Sequence, residues 1–151
     1  MIEEKIRKLG FELPEAPKPV AAYIPAVRAG SLVYTAGQVA IVKGELKYKG
    51  KIGKSLKLED GQKAAEICAL NCLAAIKGAI GELNLIKRIV KLTVFVNSAD
   101  GFTEQPKVAN GASELLVEIF GEKGKHARSA VGVDELPLNA AVEIEMIVEV
   151  K

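Results

Sequence analysis

The chain has 151 residues and a formal net charge of +2, enough length for one domain whose core needs no covalent staple. So small a charge imbalance gives no ground for a nucleic-acid or membrane partner. Two cysteines without a CxxC spacing and a single histidine leave no zinc-binding set, and no run of about 18 apolar residues marks a membrane span.

The start, MIEEKIRKLG, is charged and amphipathic and lacks an apolar signal core, so a cytoplasmic protein is expected. Ile2–Leu9 reads as a short helix stopped by Gly10. Pro14, Pro17 and Pro19 then hold an extended lead-in. Residues 1–18 are taken as this helix and lead-in, and 19–151 as one domain. Tyr23–Val27 and Leu32–Val39 form a hairpin around Ala29-Gly30, with Gly37 marking a bulge or a close backbone approach. Ile41–Leu58 carries six lysines (Lys43, Lys47, Lys49, Lys51, Lys54, Lys57) and reads as a solvated loop with one short strand. Gly53-Lys54-Ser55 looks like the end of a phosphate-binding loop, but Tyr48 stands where that motif needs its first glycine and no buried strand leads into it.

Glu59–Leu83 is a long helix: Ala65, Cys68, Ala69, Cys72, Leu73, Ile76 and Ile80 follow the i, i+3, i+4 spacing, which makes both cysteines buried thiols. Its many alanines predict close packing against a sheet or a second helix. Ile86–Asn97 is a strand with Val90, Leu92, Val94 and Val96 on one face and Ile89, Lys91, Thr93 and Phe95 on the other. Thr103–Phe120 is the second helix, with Pro106 in its first turn and an apolar stripe of Val108, Ala112, Leu115, Leu116 and Ile119. Asn110 lies opposite that stripe, where pattern alone makes it a solvated polar residue.

His126–Val150 reads as two extended runs joined at Asp134–Asn139, with Pro137 interrupting any continuous ladder. In the second run Val142, Ile144, Met146, Val148 and Val150 alternate with Glu143, Glu145, Ile147 and Glu149, the period of a strand with one face on a core. Arg128 and Ser129 open the first run. If the two runs pair or lie adjacent, a forked cation and a proton acceptor meet on the non-core face. The element order places two helices on one face of a mixed sheet, an α+β arrangement. Tyr34, Phe95 and Ile147 then sit on the other face, which a single chain leaves uncovered, so a homo-oligomer is expected.

From about Pro19 to Val150 the sequence resembles the YjgF/RidA family of reactive-intermediate (enamine/imine) deaminases, also labelled endoribonuclease L-PSP-like. The resemblance is carried by Tyr23 in VAAYIPAV, the turn Thr35-Ala36-Gly37-Gln38, VKLTVFVNS, and above all ARSAVGVDELPLNAAVEIE. The length and lead-in are similar to the longer YjgF-like branch. The resemblance implies a chorismate-mutase-like fold and a homotrimer with clefts between subunits. It implies hydrolysis of 2-enamines or 2-imines of amino acids to 2-keto acids and ammonia, with no metal or organic cofactor. Arg128 takes the part of the carboxylate clamp and Glu143 that of the group orienting or activating water. Tyr23 and Asn110 fall on further binding positions. Ala36 replaces a small hydroxyl residue and Ala130 a cysteine, removing two polar groups that line the family's cleft. The expected partners are small carboxylate metabolites, imino or keto acids, and further copies of the chain. The other readings are a non-catalytic trimer that senses such carboxylates and an RNA-cleaving protein. The last is the weakest, given one histidine and no aromatic platform.

Overall fold

The structure is a computed structural model that describes residues 1–19 and 22–151. Val20 and Ala21, at the end of the expected lead-in and the start of VAAYIPAV, lie outside the described residues. The elements are α1 (Ile2–Lys8), β1 (Ala26–Ala29), β2 (Leu32–Thr35), β3 (Gln38–Val39), β4 (Ile41–Val42), β5 (Glu45–Leu46), α2 (Leu58–Ile80), β6 (Ile86–Asn97), α3 (Gln105–Phe120), β7 (Ala127–Val133) and β8 (Val142–Val150). The hairpin forms as expected, but its first strand starts at Ala26 rather than Tyr23. Pro25 has no N–H to give a ladder, which accounts for the later start.

The main sheet runs β1-β2-β8-β6-β7, with β3 also pairing β8. Only β6 and β7 are parallel, and α3 supplies the crossover that a parallel pair requires. The two C-terminal runs therefore do not pair: β6 lies between β7 and β8. Strand β8 has no edge left for β7, since one side pairs β6 and the other pairs β2 and β3.

Helices α2 and α3 cover one sheet face and pack tightly on each other. Glycine makes the approach possible: a Cβ on Gly111 would lie 2.2 Å from the Gln62 carbonyl oxygen. Cys68 and Cys72 are fully buried on α2, their thiols donating to the Val142 and Ile144 carbonyls at 3.5 and 3.3 Å. The buried Thr35 hydroxyl links the same layers, accepting from the Met146 N–H at 3.0 Å and donating to Cys72 Sγ at 3.7 Å. Helix α1 packs on α3 and the turn at Leu83–Leu85.

Strand β6 corrects the simple alternation read from its sequence. Ile89, not Val90, is fully buried beside Leu92, Val94 and Val96. Register shifts against β8 at Ile86/Arg88 and Ile89/Lys91 insert an extra residue, and each such bulge reverses which neighbour faces the core. The lysine-rich segment holds two short paired strands, β4 and β5, rather than one. Lys51 within it is not a solvated cation: its Nζ donates to Asn97 Oδ1 at 2.9 Å and to the Asp134 carbonyl.

Among the described residues the other sheet face has no covering layer. Tyr34 pairs with Ile147, Thr93 with Ser129 and Glu145, and Phe95 with Val131 and Glu143. Val27, Tyr34 and Val131 are 49, 42 and 44% exposed on it.

Candidate functional site

Arg128 is positioned by β7 and α3 together. Helix α3 ends at Phe120, where Gly121 takes a φ of +64°, and a short turn over Gly121–Gly124 folds back on the helix. A Cβ on Gly124 would lie 2.3 Å from the Leu116 carbonyl oxygen, so the absence of a side chain permits that contact. Strand β7 then leaves alongside α3, with Arg128 opposite Leu92 of β6. Directly paired residues share a face, and Leu92 is fully buried under the helices, so Arg128 rises on the helix side at the open edge of the sheet.

There its Nη1 donates to Asn110 Oδ1 at 2.9 Å and to Ser113 Oγ at 3.1 Å. Asn110 is thus not merely solvated; it lies on the α3 flank that meets β7. Among the described residues no carboxylate forms an ion pair with Arg128. Arg128 is half-buried and its guanidinium is held by neutral groups. Ala130, two residues along, shares this face opposite Val94.

Glu143 belongs to a different place. It pairs with Phe95 and Val39 on the uncovered face, and its carboxylate lies over Gly37, where a Cβ would come within 2.6 Å of Oε2. Gly37 is indeed a point of close approach, with Ala36 beside it. Burial, and then the neighbouring charge of Glu145, push the Glu143 carboxyl above its ordinary range. The expectation that the guanidinium and the carboxylate meet on the non-core face is not met within one chain. They leave opposite faces, and strand spacing and rise put their backbones roughly 14 Å apart. Tyr23 is 57% exposed and touches neither group by a hydrogen bond.

Two residues of the Arg128 cluster were missed in the sequence. Ser113 Oγ lies 2.9 Å from His126 Nε2, and His126 Nδ1 lies 2.6 Å from the Gly124 carbonyl oxygen. Spacing carried a signal for both: Ser113 is i+3 from Asn110 on α3, and His126 is two residues before Arg128. Among the described residues no cluster of three or more histidine, cysteine or acidic side chains could hold a metal ion, and no helix is long and apolar enough to cross a membrane.

A cavity of about 500 Å³ lies elsewhere, between α1, the lead-in and the end of α2, lined by Glu3, Arg7, Glu12 and Lys77 among others. A smaller one of about 100 Å³ opens on the uncovered face, lined by Tyr34, Lys91, Thr93, Glu145 and Ile147 among others. Neither includes Arg128.

Residues 3–150 match the family model described as "YjgF/chorismate_mutase-like, putative endoribonuclease". The chain is 44% identical to Protein TCP17 of Trypanosoma cruzi, over 98% of this chain and 93% of that one. It is 30% identical to a 2-iminobutanoate/2-iminopropanoate deaminase of Dermatophagoides farinae, over 91% of this chain and 93% of that one. The crystal structure of Atu1372, a protein of unknown function from Agrobacterium tumefaciens, superposes with a TM-score of 0.94 at 44% identity, over 99% of this chain and 92% of that one.

Proposed function

Since the chain belongs to the YjgF/RidA family and has its α+β, chorismate-mutase-like fold, we propose that it hydrolyses 2-enamine or 2-imine derivatives of amino acids to 2-keto acids and ammonia. One observation carries the reading: Arg128 is half-buried, held at Nη1 by Asn110 and Ser113, and forms no ion pair with a carboxylate among the described residues. A guanidinium so placed has Nε and Nη2 available for two parallel bonds to a small carboxylate, a geometry lysine cannot reproduce. Fixing the carboxylate fixes the electrophilic carbon relative to one water. Glu143 takes a proton from that water; burial and the Glu145 charge raise its affinity for protons and make it a stronger base.

One chain does not assemble this site, because Arg128 and Glu143 project from opposite faces. The proposal therefore includes a homotrimer in which the uncovered faces bury each other and Arg128 of one copy meets Glu143 of the next. The exposed Val27, Tyr34 and Val131 favour such burial. Tyr23 and Asn110 complete the cleft, and Ala36 and Ala130 leave two of its wall positions without polar atoms.

A second reading is a trimer that binds small carboxylates without turning them over. It is favoured by the same observation that complicates the first: the carboxylate fork is complete within one chain and the proton acceptor is not. RNA cleavage has less support, since the single histidine has both ring nitrogens engaged.

The deciding experiment generates 2-iminobutyrate in solution and follows 2-oxobutyrate with and without protein. Acceleration that is lost in Glu143→Gln while 2-oxobutyrate still binds supports the hydrolase. Binding without acceleration leaves the sensor. Binding unaffected by Arg128→Ala removes both.

A further inference from the structure

The guanidinium of Arg128 ends a chain of hydrogen bonds in which every proton has an assigned direction. The Gly124 carbonyl can only accept, so the nitrogen facing it at 2.6 Å, His126 Nδ1, carries the imidazole proton. In the neutral ring Nε2 is then a bare acceptor, and the Ser113 hydroxyl donates to it at 2.9 Å. A hydroxyl has one proton. With that proton committed to His126, Ser113 Oγ faces Arg128 purely as an acceptor, and Nη1 donates to it at 3.1 Å. The second Nη1 proton goes to Asn110 Oδ1 at 2.9 Å. Both protons of Nη1 are used, and the Nε/Nη2 edge has no hydrogen-bond partner among the described residues.

We propose that His126, acting through Ser113, is a positioning residue that fixes which edge of Arg128 is offered to a small organic carboxylate. The proposal rests on the reading of Arg128 as the carboxylate site. Without an acceptor at the Nε2 position, the Ser113 proton is free to turn toward Arg128. Nη1 then loses a partner and the guanidinium is free to rotate about its last side-chain bonds. Burial of the ring, aided by the nearby Arg128 charge and opposed by the bond to Gly124, lowers the His126 pKa, which keeps the ring neutral and the chain pointing one way near neutral pH.

The test measures pyruvate binding by calorimetry on the purified full-length protein and its variants. His126→Ala and Ser113→Ala are expected to weaken binding about tenfold, the scale of a lost hydrogen bond to a charged group. His126→Gln places an amide oxygen where Nε2 stood and is expected to restore binding to within about threefold, as is Ser113→Thr, which keeps the hydroxyl. His126→Leu fills the space without an acceptor and is expected to bind as weakly as His126→Ala. In any turnover assay the loss falls on KM more than on kcat. If His126→Leu binds as well as the unmodified protein, the ring acts by packing alone and the proposal fails. If Arg128→Ala abolishes binding while His126→Ala and Ser113→Ala leave it unchanged, this proposal fails and the carboxylate reading stands. If Arg128→Ala binds pyruvate normally, the carboxylate reading itself falls and takes the positioning role with it.

Discussion

Arg128 and Glu143 stand on strands that share β6 as a neighbour yet project from opposite faces of the sheet. Arg128 is registered with the buried Leu92 and Glu143 with Phe95. Three residues along a strand reverse the face, so the two groups cannot serve one water within a single chain. A hydrolase built on them needs two copies. A mixture of Arg128→Ala and Glu143→Gln chains should therefore recover activity that neither has alone, measured after joint refolding. Recovery indistinguishable from zero would overturn a site shared between two copies.

The proposed carboxylate clamp predicts a sharp difference between two cations. Arg128→Lys keeps the charge but cannot span Asn110, Ser113 and a carboxylate with one planar group. Affinity for pyruvate should fall at least about tenfold, with little change in melting temperature, because the position is half-buried at a sheet edge.

Glu143 sits over Gly37 with almost no clearance. Gly37→Ala should push the carboxylate aside, lowering turnover while leaving the fold intact, since only the far end of a flexible side chain must move. The pH dependence has a definite sign. In the proposed role of base Glu143 must be charged, so activity should be lost as pH falls through a value above the ordinary carboxylate range. Glu145→Gln removes the second cause of that elevation and should move the acid limb to lower pH. Stability runs the other way: the folded state holds this proton more tightly than the unfolded one. The contribution is present at low pH and is lost as pH rises through the folded pKa. Melting curves of Glu143→Gln against pH should lack that component.

Asn97 is fully buried and ties three segments together. Its Nδ2 donates to the Ala140 carbonyl at 3.0 Å and to Asn139 Oδ1 at 3.3 Å, and its Oδ1 accepts from Lys51. Asn97→Ala leaves a buried carbonyl with one fewer donor and a half-buried lysine with one fewer acceptor. A loss of about 1–3 kcal/mol is expected in denaturant unfolding, with faster hydrogen exchange in the loop before β8.

The two thiols should be inert. Burial pushes Cys72 up to about 12 and Cys68 well above its usual value, and both side chains are fully buried. Thiol reagents should modify them only at the rate of unfolding; labelling in native buffer within minutes would contradict the packing of α2 on β8.

Much of the architecture was legible because burial imposes periods that a sequence displays. The 3.6-residue spacing of Ala65 to Ile76 gave α2, and the strict alternation from Val142 to Val150 gave β8. The resemblance of ARSAVGVDELPLNAAVEIE fixed the family. Local pattern could not say that β7 would take the far side of β6 or that a bulge would exchange Ile89 for Val90. Both depend on hydrogen-bond pairing between segments distant in the chain. The same holds at the site. Arg128 could be singled out from its motif and Asn110 from the resemblance alone, its helical position reading as solvated, while Ser113 and His126 carried only the weak signal of their spacing. What joins the four is the angle at which the Gly121–Gly124 turn returns β7 to α3, set by contacts across the fold and written in no single stretch of sequence.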